Sequence, residues 1–103
     1  MDEHRAHERV KVNIRIAYRD TGYAYKIGRV SNISRGGAFI VTSSPPGSVN
    51  EFMTASIDVE DLGKIIWVQG RVVRKNGTGM GIAFTRIDGR GLDLYLSHLG
   101  VPV

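Results

Sequence analysis

Large apolar residues occupy every second position from Val10 to Tyr18, and the positions between them are polar or small. A period of two predicts a β-strand with one face on a core and the other in solvent. Residues 1–9 are polar, have no steady period, and are predicted to form a flexible N-terminal arm. Further apolar runs between turn-forming residues predict six strands in all, near 10–19, 23–33, 38–42, 52–59, 64–75 and 79–87.

Two details of this pattern lead to local predictions. Tyr25 and Ile27 would face one side of a regular strand and Val30 the other. A bulge or bend near Gly28 is therefore predicted, because it would bring them to the same face. The Asn-Gly dipeptide at 76–77 predicts a hairpin, because both residues tolerate positive φ.

The pattern changes to a helical period over residues 88–100. Asp88 is expected to cap this helix at its start, and Gly100 suits the position after its end. One helical face collects the apolar residues Leu92, Tyr95, Leu96 and Leu99. The chain is therefore predicted to be one mainly all-β domain, residues 1–103, with a barrel or sandwich over 10–87 and a short C-terminal α-helix.

Composition narrows the range of partners and cellular locations expected for this chain. The net charge is +4, and ten of the fourteen basic residues are arginine, which favours an anionic partner. There is no cysteine, so no disulfide or zinc thiolate forms. No apolar run reaches the roughly 18–20 residues of a membrane span, and residues 1–9 do not form a secretory signal. We expect a cytoplasmic protein without membrane insertion.

Catalytic chemistry is not indicated. The histidines have no sequence-local acidic partner that would make a metal or base site: His4, His7 and His98. Three carboxylates cluster at a hairpin and are interpreted as a solvated turn: Asp58, Glu60 and Asp61. The sequence thus predicts neither an enzyme nor a metal or cofactor site.

Two arginines on the arm form an R-x-x-x-R motif, Arg5 and Arg9. This spacing is weak evidence alone, since it also occurs at 15–19 and 86–90. Only the first pair lies just before the barrel on a segment that can fold over a ligand. Forked guanidinium groups suit phosphates and the edges of guanine.

A second motif, N-x-S-x-x-G, occurs once, at Asn32, Ser34 and Gly37. Asparagine and serine both donate and accept hydrogen bonds. Gly36 and Gly37 lack Cβ atoms, which allows close backbone approach and positive φ. The alternative interpretation is an ordinary turn, since these residue types all favour turns.

Both motifs in this order, with the late strand Gly81-Ile-Ala-Phe84, resemble the PilZ domain, a bacterial receptor module for cyclic di-GMP. The resemblance implies a six-stranded antiparallel β-barrel whose arm closes over the ligand. It implies that Arg5 and Arg9 contact phosphates and guanine while Asn32, Ser34 and Gly37 line the surface beneath. Asn32 stands where the family more often has aspartate. Further candidate contacts are His4, Arg35, Gly36 and Gly81.

The resemblance implies a receptor or adaptor that signals to an unidentified downstream protein, with outputs such as motility, surface attachment or exopolysaccharide production. One alternative keeps the fold as a protein-interaction module that binds no nucleotide. Another is a small basic barrel that binds RNA or single-stranded DNA. Nucleic acid is less favoured because such platforms present several stacking aromatics, whereas Tyr18 and Phe84 are predicted to face the core.

Overall fold

A computed structural model describes residues 9–19, 24–43 and 48–101 of the chain. The predictions for His4, Arg5 and His7 lie outside the described residues. Arg9, the second arginine of the first motif, lies within them.

Six antiparallel strands close into a barrel, and one helix follows them. The elements are β1 (Val10–Arg19), β2 (Lys26–Ile33), β3 (Gly37–Val41), β4 (Phe52–Val59), a 3₁₀ turn (Glu60–Leu62), β5 (Lys64–Lys75), β6 (Gly79–Ile87) and α1 (Gly89–His98). Around the barrel the strands lie in the order β1-β2-β3-β6-β5-β4. The predicted mainly-β barrel with a C-terminal helix is confirmed. Most strand bounds agree with the prediction, but β2 begins at Lys26 and β3 is displaced one residue toward the N-terminus.

The barrel interior is filled by the inward-facing residues of every strand. Tyr18 and Val30 are fully buried, and Phe84 packs against the same cluster. Each fully buried aliphatic side chain contributes about 1.5–3 kcal/mol relative to an exposed one. The alternation in the sequence therefore identifies the core correctly, including the inward direction of Tyr18 and Phe84.

Helix α1 completes this core. Leu92 and Leu96 are fully buried in the same cluster as the strand residues. Tyr95 lies on the same helix face, and burial together with the carboxylate of Asp61 raises the pKa of its phenol. Asp88 accepts a hydrogen bond from the Gly91 N–H, as predicted for an N-cap. Gly100 has φ of 86°, which suits glycine. Within the described ranges, no helix is long and apolar enough to span a membrane.

The irregularity in β2 lies at Ser31, so the prediction of a bulge near Gly28 is wrong. Tyr25 and Ile27 simply point outward, being 58% and 52% exposed. Pairing is regular through Gly28, but β2 changes register with both of its neighbours across Ser31. Val30 faces inward. Because the pairing changes register at Ser31, Asn32 lies on the outer surface instead of facing inward as Val30 does.

The hairpin at 76–77 is confirmed, but its predicted backbone reason is wrong. Neither Asn76 nor Gly77 has positive φ. Instead, Asn76 Oδ1 accepts hydrogen bonds from the Thr78 N–H at 2.8 Å and the Gly79 N–H at 3.0 Å. The asparagine side chain therefore closes the turn by replacing a backbone acceptor.

Candidate ligand-binding site

Ser34 organises the turn between β2 and β3. Its side chain is buried, and its Oγ accepts hydrogen bonds from the N–H groups of Gly36 and Gly37 at 3.1 and 3.3 Å. The Ser34 N–H donates to the Gly37 carbonyl at 2.9 Å. The hydroxyl is thus occupied by the turn, and its contribution to a site on this surface is to hold the turn in shape.

Gly37 is required by the closure of the barrel. A Cβ atom there would lie 2.2 Å from the Ile82 carbonyl oxygen on β6. Gly37 belongs to β3, and neither Gly36 nor Gly37 adopts positive φ, so that part of the prediction is wrong for both residues. The neighbouring Gly36 carbonyl accepts from the Phe84 N–H at 2.8 Å, which continues the pairing of β3 with β6.

The two sequence motifs meet at Arg9 and Asn32. A guanidinium N–H of Arg9 donates to Asn32 Oδ1 at 2.7 Å across the outer surface of β1 and β2. Arg9 is exposed and Asn32 is half-buried. Since Asn32 is neutral, it orients the arginine without cancelling its charge, and its amide NH2 can donate to a ligand.

A row of residues continues from Asn32 around the barrel. Asn32 of β2 is paired with Lys11 of β1 on one side and with Phe39 of β3 on the other. Phe39 is paired in turn with Gly81 of β6, and Gly81 is paired with Arg74 of β5. The Arg74 guanidinium lies over the Phe39 ring, 5.6 Å from its centroid. Phe39 and Arg74 were not predicted from the sequence, because only the strand register brings them into one row with Asn32.

Arg35 lies in the turn of the second motif and forms an ion pair with Asp93 of α1. Both side chains are 39% exposed. Ion pairs at this degree of exposure contribute at most about 1 kcal/mol. Arg35 is therefore joined to the helix in this structure, and a ligand phosphate would have to compete with Asp93 for it.

His98 lies near an acidic side chain of the 3₁₀ turn. His98 Nε2 is 3.8 Å from Asp61 Oδ2, a partner that only the fold provides, but Asp61 is largely exposed. Among residues 9–19, 24–43 and 48–101, no group of three or more histidine or acidic side chains could hold a metal ion.

The outer face from Arg9 to Arg74 carries three exposed cations, Arg9, Lys11 and Arg74, with a neutral amide and a glycine-bearing turn on a closed barrel. This combination defines a small barrel suited to an anionic ligand with planar groups. The sequence model of the PilZ domain matches residues 3–99, and the chain belongs to that family. PilZ domains are generally regulatory receptors of cyclic di-GMP signalling rather than enzymes.

Two solved structures share this fold. The Bacillus subtilis inhibitor of motility, MotI/DgrA, superposes with a TM-score of 0.78 at 16% identity, over 94% of this chain and 50% of that one. The PilZ domain of CeSA from a cellulose-synthesizing bacterium gives a TM-score of 0.68 at 19% identity, over 89% and 93% of the two chains. The chain thus spans about half the length of MotI/DgrA. None of the curated proteins compared with the chain matches it.

Proposed function

We propose that this chain binds cyclic di-GMP on the outer barrel face defined by Arg9, Asn32 and the turn at 34–37. The observation that carries the proposal is the 2.7 Å hydrogen bond between Arg9 and Asn32. It joins two motifs that are 23 residues apart into one surface with a net positive charge. Family membership supports the same class of ligand.

The chemistry of this surface suits the ligand. Cyclic di-GMP carries two phosphates and two guanines, and a guanidinium fork matches either a phosphate or the O6 and N7 atoms of guanine. Asn32 donates through its NH2 group, while the turn of Ser34 and Gly37 supports the surface beneath. Arg5 supplies the second fork when the arm closes over the ligand.

Ligand binding orders the N-terminal arm, and the ordered arm transmits the signal to a downstream protein. Fixing a residue costs about 1–2 kcal/mol of backbone entropy, so several charge-assisted contacts must act together. The closed arm and the ligand form a new surface that a downstream protein recognises in the cytoplasm. MotI/DgrA is an inhibitor of motility, and CeSA comes from a cellulose-synthesizing bacterium, which supports motility or biofilm formation as the regulated process.

Titration calorimetry of the wild-type chain tests the ligand. We expect saturable binding of cyclic di-GMP near or below micromolar Kd, about −8 kcal/mol, together with protection of residues 1–10 from protease. GTP at the same concentration serves as the control for simple charge attraction. Absence of binding at several salt concentrations would contradict the proposal and favour the interaction-module alternative. A salt-dependent shift with random oligonucleotides alone would favour the nucleic-acid alternative.

Replacing Ser34 with alanine should lower both stability and affinity. The change removes the side-chain acceptor of the Gly36 and Gly37 N–H groups, and for the buried Gly37 donor this costs about 1–3 kcal/mol. In a domain of this size each 1 kcal/mol shifts Tm by about 4–8 °C. Thermal unfolding and titration of Ser34→Ala are compared with Ser97→Ala, which removes an exposed helix hydroxyl. Equal Tm values for the two variants would mean that the Ser34 hydroxyl does not stabilise the turn.

A further inference from the structure

Arg74 extends along the barrel surface over Gly81 and Phe39. Its guanidinium lies over the Phe39 ring, and its side chain passes across Gly81, where a Cβ atom would lie 3.1 Å from Arg74 Cγ and Nε. Gly81 therefore leaves room for the arginine to lie along the sheet. Arg74 remains exposed, so the face of the guanidinium away from Phe39 is open.

This guanidinium lies close to the motif residues. Phe39 is the direct cross-strand neighbour of Asn32, and adjacent strands are about 4.8 Å apart. Arg74 lies over Phe39, so its guanidinium is on the Phe39 side of Asn32, whereas Arg9 and Lys11 are on the other side. Asn32 thus lies between two cationic groups.

The charge of Arg74 is available for a ligand. Its only interaction recorded within the described part of the chain is with the Phe39 ring, which carries no charge. Arg35 differs, because it is paired with Asp93. A guanidinium that already lies over one aromatic ring loses little freedom when a flat group approaches it from the open side.

We propose that Arg74 forms a base-stacking wall of the ligand site, so that a guanine base of the cyclic dinucleotide lies on the outer face of its guanidinium. The inference rests on the proposed function and extends it to a residue outside both motifs. Phe39 positions Arg74 from below, and Gly81 provides the clearance. The base on Arg74 and the phosphate at Arg9 then lie on either side of Asn32, which sets the direction of the ligand across the strands.

Titration of cyclic di-GMP into Arg74→Ala should give binding about tenfold weaker than wild type, equivalent to about 1.4 kcal/mol. Arg74→Lys keeps the charge but not the plane, so it should recover less than half of that loss on the logarithmic scale. Arg71→Ala is the matched control, because Arg71 lies on the same strand, has the same charge and bonds Asn50 Oδ1 at 2.7 Å instead. We expect its affinity to equal that of the wild type.

A double-mutant cycle separates stacking from general charge. If Phe39 acts by supporting Arg74, then Phe39→Leu should weaken binding in the wild type and have little further effect in Arg74→Ala. Wild-type affinity in Arg74→Ala, full recovery by lysine, or additive effects of the two changes would each overturn the stacking role while leaving cyclic di-GMP binding intact. Failure of the wild type itself to bind would overturn the proposed function and this inference together.

Discussion

Arg9→Ala is expected to weaken cyclic di-GMP binding by about 10- to 100-fold without changing the fold. Hydrogen bonds to charged groups contribute about 1.5–3 kcal/mol each, and this residue supplies the described cation nearest to Asn32. Its loss also releases the Asn32 amide, which Arg9 holds through a 2.7 Å hydrogen bond. Because Arg9 is exposed at the start of β1, we expect the Tm of the free variant to stay near that of the wild type.

Arg19→Ala provides the matched control for this change. Arg19 terminates the same strand, roughly 30 Å from Arg9 at the rise of a β-strand. It lies over the Tyr25 ring, 5.2 Å from the centroid, rather than near Asn32. Both variants lose one positive charge, so a difference between them in calorimetric Kd reports position rather than net charge. Equal weakening by the two would mean that binding depends on overall charge and not on this site.

The salt dependence of ligand binding by the same two variants also distinguishes a direct contact from general charge attraction. Exposed charge attraction is screened over about 10 Å at 0.1 M salt. Arg9→Ala should therefore weaken binding at both low and moderate ionic strength, since it removes a direct contact. Any effect of Arg19→Ala should disappear as salt is raised.

The strands were predictable from the sequence because burial imposes a period of two. Residues 52–59, 64–75 and 79–87 were predicted with the bounds that β4, β5 and β6 have in the structure. The helix was predictable because burial of one helical face gives a period near 3.6, seen in its leucine face, and because Asp88 and Gly100 suit its two ends. These features depend on local sequence and on which face meets the core.

Cross-strand relationships were not predictable in the same way. The irregular residue Ser31 turns Asn32 outward, yet the parity of Tyr25 and Ile27 suggested Gly28 instead. Those two residues gave a misleading signal because single exposed apolar side chains are common on protein surfaces. The placement of Arg74 over Phe39 depends on the register of three strands, and residues 39 and 74 have no local pattern in common.

The motif residues also have different physical roles that their spacing does not reveal. Arg9 and Asn32 present polar groups at the surface, whereas Ser34 is buried and directs its hydroxyl into the turn. Gly37 faces the Ile82 carbonyl of β6. One half of the second motif is thus available to a ligand, and the other half maintains the strand connection that presents it.

Gly37→Ala is expected to destabilise the barrel and to abolish measurable ligand binding. The added methyl group would lie 2.2 Å from the Ile82 carbonyl oxygen, and that contact is with backbone that no side-chain rotation can relieve. β3 must then move away from β6. Overpacking of this kind typically costs about 1–3 kcal/mol, which corresponds to a Tm lower by about 4–8 °C per kcal/mol. Thermal unfolding and calorimetry of the variant measure both effects.

Gly77→Ala is the matched control, because a Cβ atom at Gly77 has no heavy atom within 4 Å and its φ is not positive. We expect that variant to keep wild-type Tm and affinity. The comparison with Arg9→Ala then separates two ways of losing the ligand: Arg9→Ala loses affinity at constant Tm, whereas Gly37→Ala loses both. If Gly37→Ala retained the wild-type Tm, β3 and β6 could not approach as closely as described. Since the barrel itself requires this glycine, its presence in a related sequence is weaker evidence for a nucleotide ligand than the Arg9–Asn32 pair.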